Sequence, residues 1–151
     1  MARSLVAVAV AVQLGLVFGA SSHGFGVAIS WVSLGEARAL GTPTFLLIHK
    51  SWCGACKALK PKFAASAEIA ALSSRFSMVN TEDDEEPSGA DYSPDGGYIP
   101  RILFLDASGN VLKDVINEGG SPQHKYYYPD PNAILASMNR VLASLPAEQE
   151  L

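Results

Sequence analysis

Cysteine is nearly absent from this chain: two residues among 151, Cys53 and Cys56, both inside one hexapeptide, Trp52-Cys53-Gly54-Ala55-Cys56-Lys57. That scarcity excludes a disulfide-stapled scaffold, which needs several pairs spread along the chain to tie its loops. Long apolar runs are missing as well. The run at residues 5–18 is interrupted by Gln13 and Gly15 and falls short of the ~20 residues a membrane-spanning helix needs. No Asn-x-Ser/Thr sequon occurs, so N-glycosylation is not expected. The formal charge is −4, and no basic stripe with interleaved aromatics marks a nucleic-acid surface. No internal repeat or heptad pattern is present. Only His23, His49 and His124 are available to complete a zinc site around the cysteines, and they lie far apart in sequence, so no metal is expected. The acidic run Glu82-Asp83-Asp84-Glu85-Glu86 offers hard oxygens but lacks the spaced ligands and central glycine of a calcium loop. It reads as a solvated loop.

What is present points to thiol chemistry. Cys53 and Cys56 follow the apolar run Phe45-Leu46-Leu47-Ile48 and open a helix-like stretch. A bridge between them would close a very short loop and remove little chain entropy, so it is a poor structural staple. At a helix start the Cys53 sulfur faces unpaired backbone N–H groups and the positive end of the helix dipole, which favours thiolate over thiol. Lys50, Lys57, Lys60 and Lys62 place positive charge nearby. Cys56 lies one helical turn on, within bridging reach. Cys53 is therefore the expected nucleophile and Cys56 the resolving thiol. A pair of inert buried cysteines would suit apolar core better than a helix start flanked by tryptophan and lysine.

The ends of the chain carry addressing signals. Met1-Ala2-Arg3, the apolar run and the small residues Gly19-Ala20-Ser21-Ser22 have the layout of a secretory signal peptide over residues 1–21, cleaved between Gly19 and Ser22. Uncleaved, the same run would act as an anchor; cleaved, it leaves no membrane segment. Residues 22–147 then form one domain with one core. The terminal Glu148-Gln149-Glu150-Leu151 is close to the Lys-Asp-Glu-Leu type of retrieval signal, and would engage its receptor from the endoplasmic-reticulum lumen.

Between these ends the pattern alternates strands and helices. Residues 29–32 read as extended, 34–40 as a short helix ended by Gly41-Thr42-Pro43, and 44–49 as a buried strand. A helix over 53–72 is predicted, kinked at Pro61, then a strand over 76–80. Residues 102–105 read as a strand that turns at Ala107-Ser108-Gly109-Asn110 into a partner strand over 111–116. A loop bearing Tyr126-Tyr127-Tyr128 follows, read as packing at a sheet edge, with client contact as the alternative. An amphipathic helix over 132–145 closes the chain, its apolar face formed by Ile134, Leu135, Met138, Val141, Leu142 and Leu145.

The Trp-Cys-x-x-Cys-Lys motif behind a strand, Pro61 eight residues after Cys53, and Ile99-Pro100 ahead of a strand together resemble the thioredoxin family. Within it the likeness is to the small thiol oxidoreductases of the endoplasmic reticulum. The resemblance implies an α/β thioredoxin fold, a central mixed β-sheet flanked by α-helices. It implies a cis Pro100 beside the cysteines, the Ile99 backbone offered to an extended client segment, and Trp52 in the adjacent apolar rim. Two departures stand out. The family usually carries a buried carboxylate six residues before the first cysteine, where this chain has Leu47, and the segment between Trp31 and Pro43 is shorter than in the relatives.

The activity implied is protein-disulfide reductase (glutathione) or thiol oxidase, with client thiols or disulfides and glutathione as partners and no bound cofactor. The Gly54-Ala55 spacer has neither the proline of thioredoxin nor the histidine of protein disulfide isomerase, which implies a potential nearer about −180 mV than ~−270 mV. The alternative is a thiol-independent, chaperone-like client-binding module. A secreted reductase is a third reading, should the C-terminal tail not act in retrieval.

Overall fold

The computed structural model describes residues 19–146; the apolar N-terminal run and the Glu-Gln-Glu-Leu tail lie outside them. Three strands form the sheet: β1 (Thr44–His49), β2 (Ser77–Glu82) and β3 (Arg101–Leu105). Their order is β2-β1-β3, with β1 parallel to β2 and antiparallel to β3. Every residue of β1 is buried, because both faces of this central strand are covered. Phe45 and Leu47 point into one core with Ile102 and Phe104, while Leu46 and Ile48 point into a second with Leu103, Leu105 and Val79. This strict alternation is the two-residue period of a strand applied to a layer covered on both sides.

Four helices cover the sheet: α1 (Leu34–Leu40), α2 (Gly54–Ala64), α3 (Ala67–Ser73) and α4 (Pro131–Ala143). Leu59 and Phe63 of α2, Ile69 of α3 and the apolar face of α4 fill the first core. Ala37 of α1 and Tyr126 fill the second. Short as it is, α1 is closed at both ends. Ser33 and Glu36 form a reciprocal capping box, and Gly41 ends the helix at φ +67°, the left-handed conformation that glycine adopts without strain.

Two elements differ from the sequence reading. The helix over 53–72 is two helices. Pro61 is accommodated inside α2, and the break comes at Ala65–Ser66, where the Ser66 hydroxyl accepts the Ile69 N–H and starts α3. The partner strand over 111–116 does not form. Val111 makes a single bridge to Leu105 and Leu112 N–H donates to the Phe104 carbonyl at 2.7 Å, but Val115 N–H turns back onto Leu112. Of residues 29–32, read as extended, Ile29 lies in a bend whose carbonyl accepts the Trp31 N–H at 3.1 Å, and Trp31 makes an isolated parallel bridge to Met78.

Candidate active site

β1 ends at His49, and the loop Lys50-Ser51-Trp52 carries the chain to Cys53, the N-cap of α2. The Cys53 sulfur takes the place of the usual capping oxygen: it accepts the Cys56 N–H at 3.2 Å. The dipole of α2 points its positive end at this sulfur. Cys53 is 7% exposed and Cys56 fully buried; both are free thiols. Burial pushes the Cys56 thiol up to about 12, and the hydrogen bond and charge of Cys53 beside it act the same way. The inner sulfur thus holds its proton, while the outer one sits at the helix N-terminus.

The Ile99–Pro100 peptide bond is cis, and the Cys53 thiol donates to the Ile99 carbonyl across 3.8 Å. Cys53 thus lies between the Cys56 N–H and the Ile99 carbonyl, with cis Pro100 next in the chain. Trp52 does not join them. It is 72% exposed and absent from the residues around the depression beside the cysteines. That depression, about 230 Å³, is lined by Ala55, Tyr98, Ile99, His124 and Tyr127. Of the three consecutive tyrosines, Tyr126 and Tyr128 are buried packing residues and Tyr127 alone reaches it. Tyr98 is fixed there by a hydroxyl bond to Asp95, by accepting the Tyr126 N–H, and by the edge of His124 at 4.7 Å.

The acidic run is a solvated loop only in part: Asp84 and Glu85 are exposed, but Glu82 ends β2, and Asp83 and Glu86 grip the chain around the cysteines. Asp83, at φ +51°, accepts the Ser51 N–H at 2.9 Å and its hydroxyl at 2.7 Å, while its own carbonyl accepts from Lys50. The Ser51 backbone bond, with that of its side chain, holds the Asp83 carboxyl below its ordinary range. Glu86 pairs with Lys50 at 2.7 Å and also with Arg101, which is almost fully buried and donates to the Tyr92 and Tyr98 carbonyls. One carboxylate thus ties the loop before Cys53 to the strand after Pro100. Two of the lysines expected to lend positive charge, Lys50 and Lys60, are engaged by Glu86 and Glu82. The partners of these carboxylates lie 15 to 36 residues away in sequence, so only the run's composition is legible there.

His23 and His49, distant in the chain, come within 5.6 Å, but around the side chain of Asn80. No group of three or more metal-ligating side chains occurs among the described residues. Leu47 lies in the apolar core and pairs in register with Asn80, so no carboxylate stands at that position.

The Thioredoxin-like family matches residues 32–107, which hold β1, the two cysteines, the cis proline and β3. The chain belongs to the thioredoxin-like family. Anterior gradient protein 3 of Xenopus tropicalis is 32% identical over 133 residues, 84% of this chain and 80% of that protein. Human anterior gradient protein 2 homolog is 30% identical over 132 residues, 84% and 74% of the two chains. Among solved structures, a DsbH oxidoreductase superposes with a TM-score of 0.55 at 16% identity, over 80% of this chain and 88% of that one. At that identity the likeness speaks for the thioredoxin-like fold, a mixed three-stranded sheet flanked by helices. Family and site together make the chain a thioredoxin-like disulfide oxidoreductase in general class. Among the described residues no helix is long and apolar enough to cross a membrane.

Proposed function

We propose that this protein is a thiol–disulfide oxidoreductase of the endoplasmic-reticulum lumen that exchanges the Cys53–Cys56 pair with client proteins and with glutathione. The observation that carries the reading is the seating of the Cys53 sulfur: it caps α2 through the Cys56 N–H while facing the carbonyl of the residue before cis Pro100. A client segment laid along Ile99 would present its own sulfur to Cys53. The Cys53 thiolate then attacks the client disulfide, forming a mixed disulfide and releasing one client thiolate. Cys56 attacks the Cys53 sulfur, closes the intramolecular bridge and releases the second. Run backwards from the oxidised pair, the same steps introduce a disulfide.

The lumenal address rests on the signal-like residues 1–21 and on Glu148, Gln149, Glu150 and Leu151, through which a retrieval receptor would act. The stretches 48–63 and 93–105 resemble thioredoxin domain-containing protein 12, a small thiol oxidoreductase of that compartment, and this likeness supports glutathione as the low-molecular-weight partner. Trp52, Ile99 and Pro100 are assigned to client contact, with Tyr98 and Tyr127 added from the depression. The exposed Trp52 also favours a second reading, a client-binding module that works without thiols.

Reduction of a disulfide-bonded substrate protein by glutathione, with and without the chain, decides between them. The exchange reading expects catalysis that vanishes in Cys53→Ser. A chain that suppresses aggregation of reduced clients equally well with both cysteines replaced, and catalyses nothing, belongs to the second reading. Appearance of the full-length protein in the medium of expressing cells would replace lumenal residence with secretion.

A further inference from the structure

Resolution requires Cys56, buried and protonated, to give up its proton, and position 47 supplies no acid–base group. A polar cluster lies on the same side of the sheet. Leu47 faces α2, sharing a core with Leu59 and Phe63, so His49, two residues on, faces that layer too. His49 is completely buried, and its register partner across the parallel pair is Glu82. Lys60, one turn after Cys56 on α2, reaches over the Phe25 ring and approaches the Glu82 carboxylate at 3.7 Å. Lys60 thus links the helix that carries Cys56 to the carboxylate that also faces His49.

Hydrogen bonding settles which nitrogen of His49 is bare. The Asn80 amide N–H donates to the Ser21 carbonyl at 2.9 Å, so its oxygen is the atom turned toward both histidines. That oxygen accepts from His23 Nδ1 at 2.6 Å and from His49 Nε2 at 3.0 Å. With its proton on Nε2, neutral His49 carries a lone pair on Nδ1. This atom is buried, makes no hydrogen bond among the described residues, and lies 3.7 Å from the Glu82 carboxylate. A histidine oriented through one nitrogen, with a carboxylate beside the other, is equipped to take a proton and to stabilise the cation formed.

We propose that His49, oriented by Asn80 and backed by Glu82, is the proton acceptor for Cys56 during resolution of the mixed disulfide. The inference rests on the exchange reading above. In the step, the Cys56 S–H proton passes to His49 Nδ1 and the sulfur attacks Cys53. The Cys53–Cys56 bond forms as the bond to the client sulfur breaks, and the departing client thiolate or solvent takes the proton from His49. Burial lowers the His49 pKa below 6.5, with His23 and Lys60 acting in the same direction and Asn80 and Glu82 opposing. His49 is therefore neutral and able to accept at neutral pH, and loses that ability as pH falls through its lowered pKa.

Stopped-flow reaction of the reduced full-length protein with dithiobis(nitrobenzoate) separates the two steps, because attack by Cys53 and resolution by Cys56 each release one coloured thionitrobenzoate. The readout is the ratio of the second rate constant to the first. His49→Gln keeps an amide donor for Asn80 but cannot titrate; it is expected to lower the ratio about 100-fold, the usual worth of a positioned base. The resolution rate should be flat across neutral pH in the wild type. In the variant it should rise about tenfold per pH unit, as for a thiol ionising unaided. Glu82→Gln, at a partly exposed position that tolerates replacement, should lower the ratio in the same direction. Ratios within about twofold of wild type with an unchanged pH profile, or a parallel fall of both phases, would overturn the assignment. Absence of the first release from the wild-type protein would instead remove the exchange reading on which it stands.

Discussion

At the scale of single residues, the chemistry divides between two sulfurs in unlike places. Cys53, only 7% exposed, caps a helix, and Cys56 is sealed completely beneath it. Their replacements should accordingly differ in kind. Cys53→Ser leaves no nucleophile and no mixed disulfide; Cys56→Ser leaves the first attack intact and traps the client on Cys53, visible as a covalent adduct on non-reducing gels. Arg101 is the second residue on which the site depends, because it holds the Tyr92 and Tyr98 carbonyls and Glu86 from a buried position. Arg101→Met orphans these groups and should destabilise the fold by about 3 kcal/mol. Thermal melts should show a midpoint lower by about 10 °C. The cysteines were legible because two thiols three residues apart at a strand end have few other uses. His49 was not, since it closes an apolar run and its partners come from residues 23, 25, 80 and 82.

At the scale of elements, caps and ion pairs decide boundaries that periodicity blurs. The apolar spacing of Leu59, Phe63, Ala67 and Ala70 runs through the break between α2 and α3 without a change of phase, so a single helix was the natural reading. What interrupts it is the Ser66 cap. Ser66→Ala should cost about 1 kcal/mol in denaturant unfolding. The alternation after Asn110 suggested a strand, but the backbone turns at Leu112–Val115 and leaves only the bridge at Val111.

The acidic run over 82–86 is legible by its charge alone, while its structure comes from what the charges grip. Burial pushes the Glu86 carboxyl up, but hydrogen bonds from Lys50 and Arg101 outweigh it and leave Glu86 below its ordinary 4.5. A carboxylate lowered in the folded state contributes stability that is fully present above the unfolded value and lost as pH falls through the folded one. Thermal midpoints should therefore hold steady down to about pH 4.5 and fall below it, and Glu86→Gln should flatten part of that fall.

At the scale of the whole molecule, the sheet places both halves of the site at one end. β1 delivers the cysteines and β3 begins directly after the cis proline, and their antiparallel pairing sets Ile48 against Arg101. The fold class was readable because Thr44–His49 is apolar on both faces and flanked by helical patterns, as a central strand of a covered sheet must be. The depression beside the cysteines was only half legible. Ile99 came from its place before Pro100, whereas Tyr98, His124 and Tyr127 converge through a loop of irregular backbone that carries no periodicity. The central claim, that Cys53 and Cys56 form a reversible redox pair, is tested most directly by equilibrating the protein in glutathione buffers of graded potential and trapping free thiols by acid quench and alkylation. The account predicts one two-electron transition between dithiol and intramolecular disulfide, nearer about −180 mV than ~−270 mV. Cysteines that stay reduced in every buffer, or that end as separate glutathione adducts without forming the bridge, would contradict it.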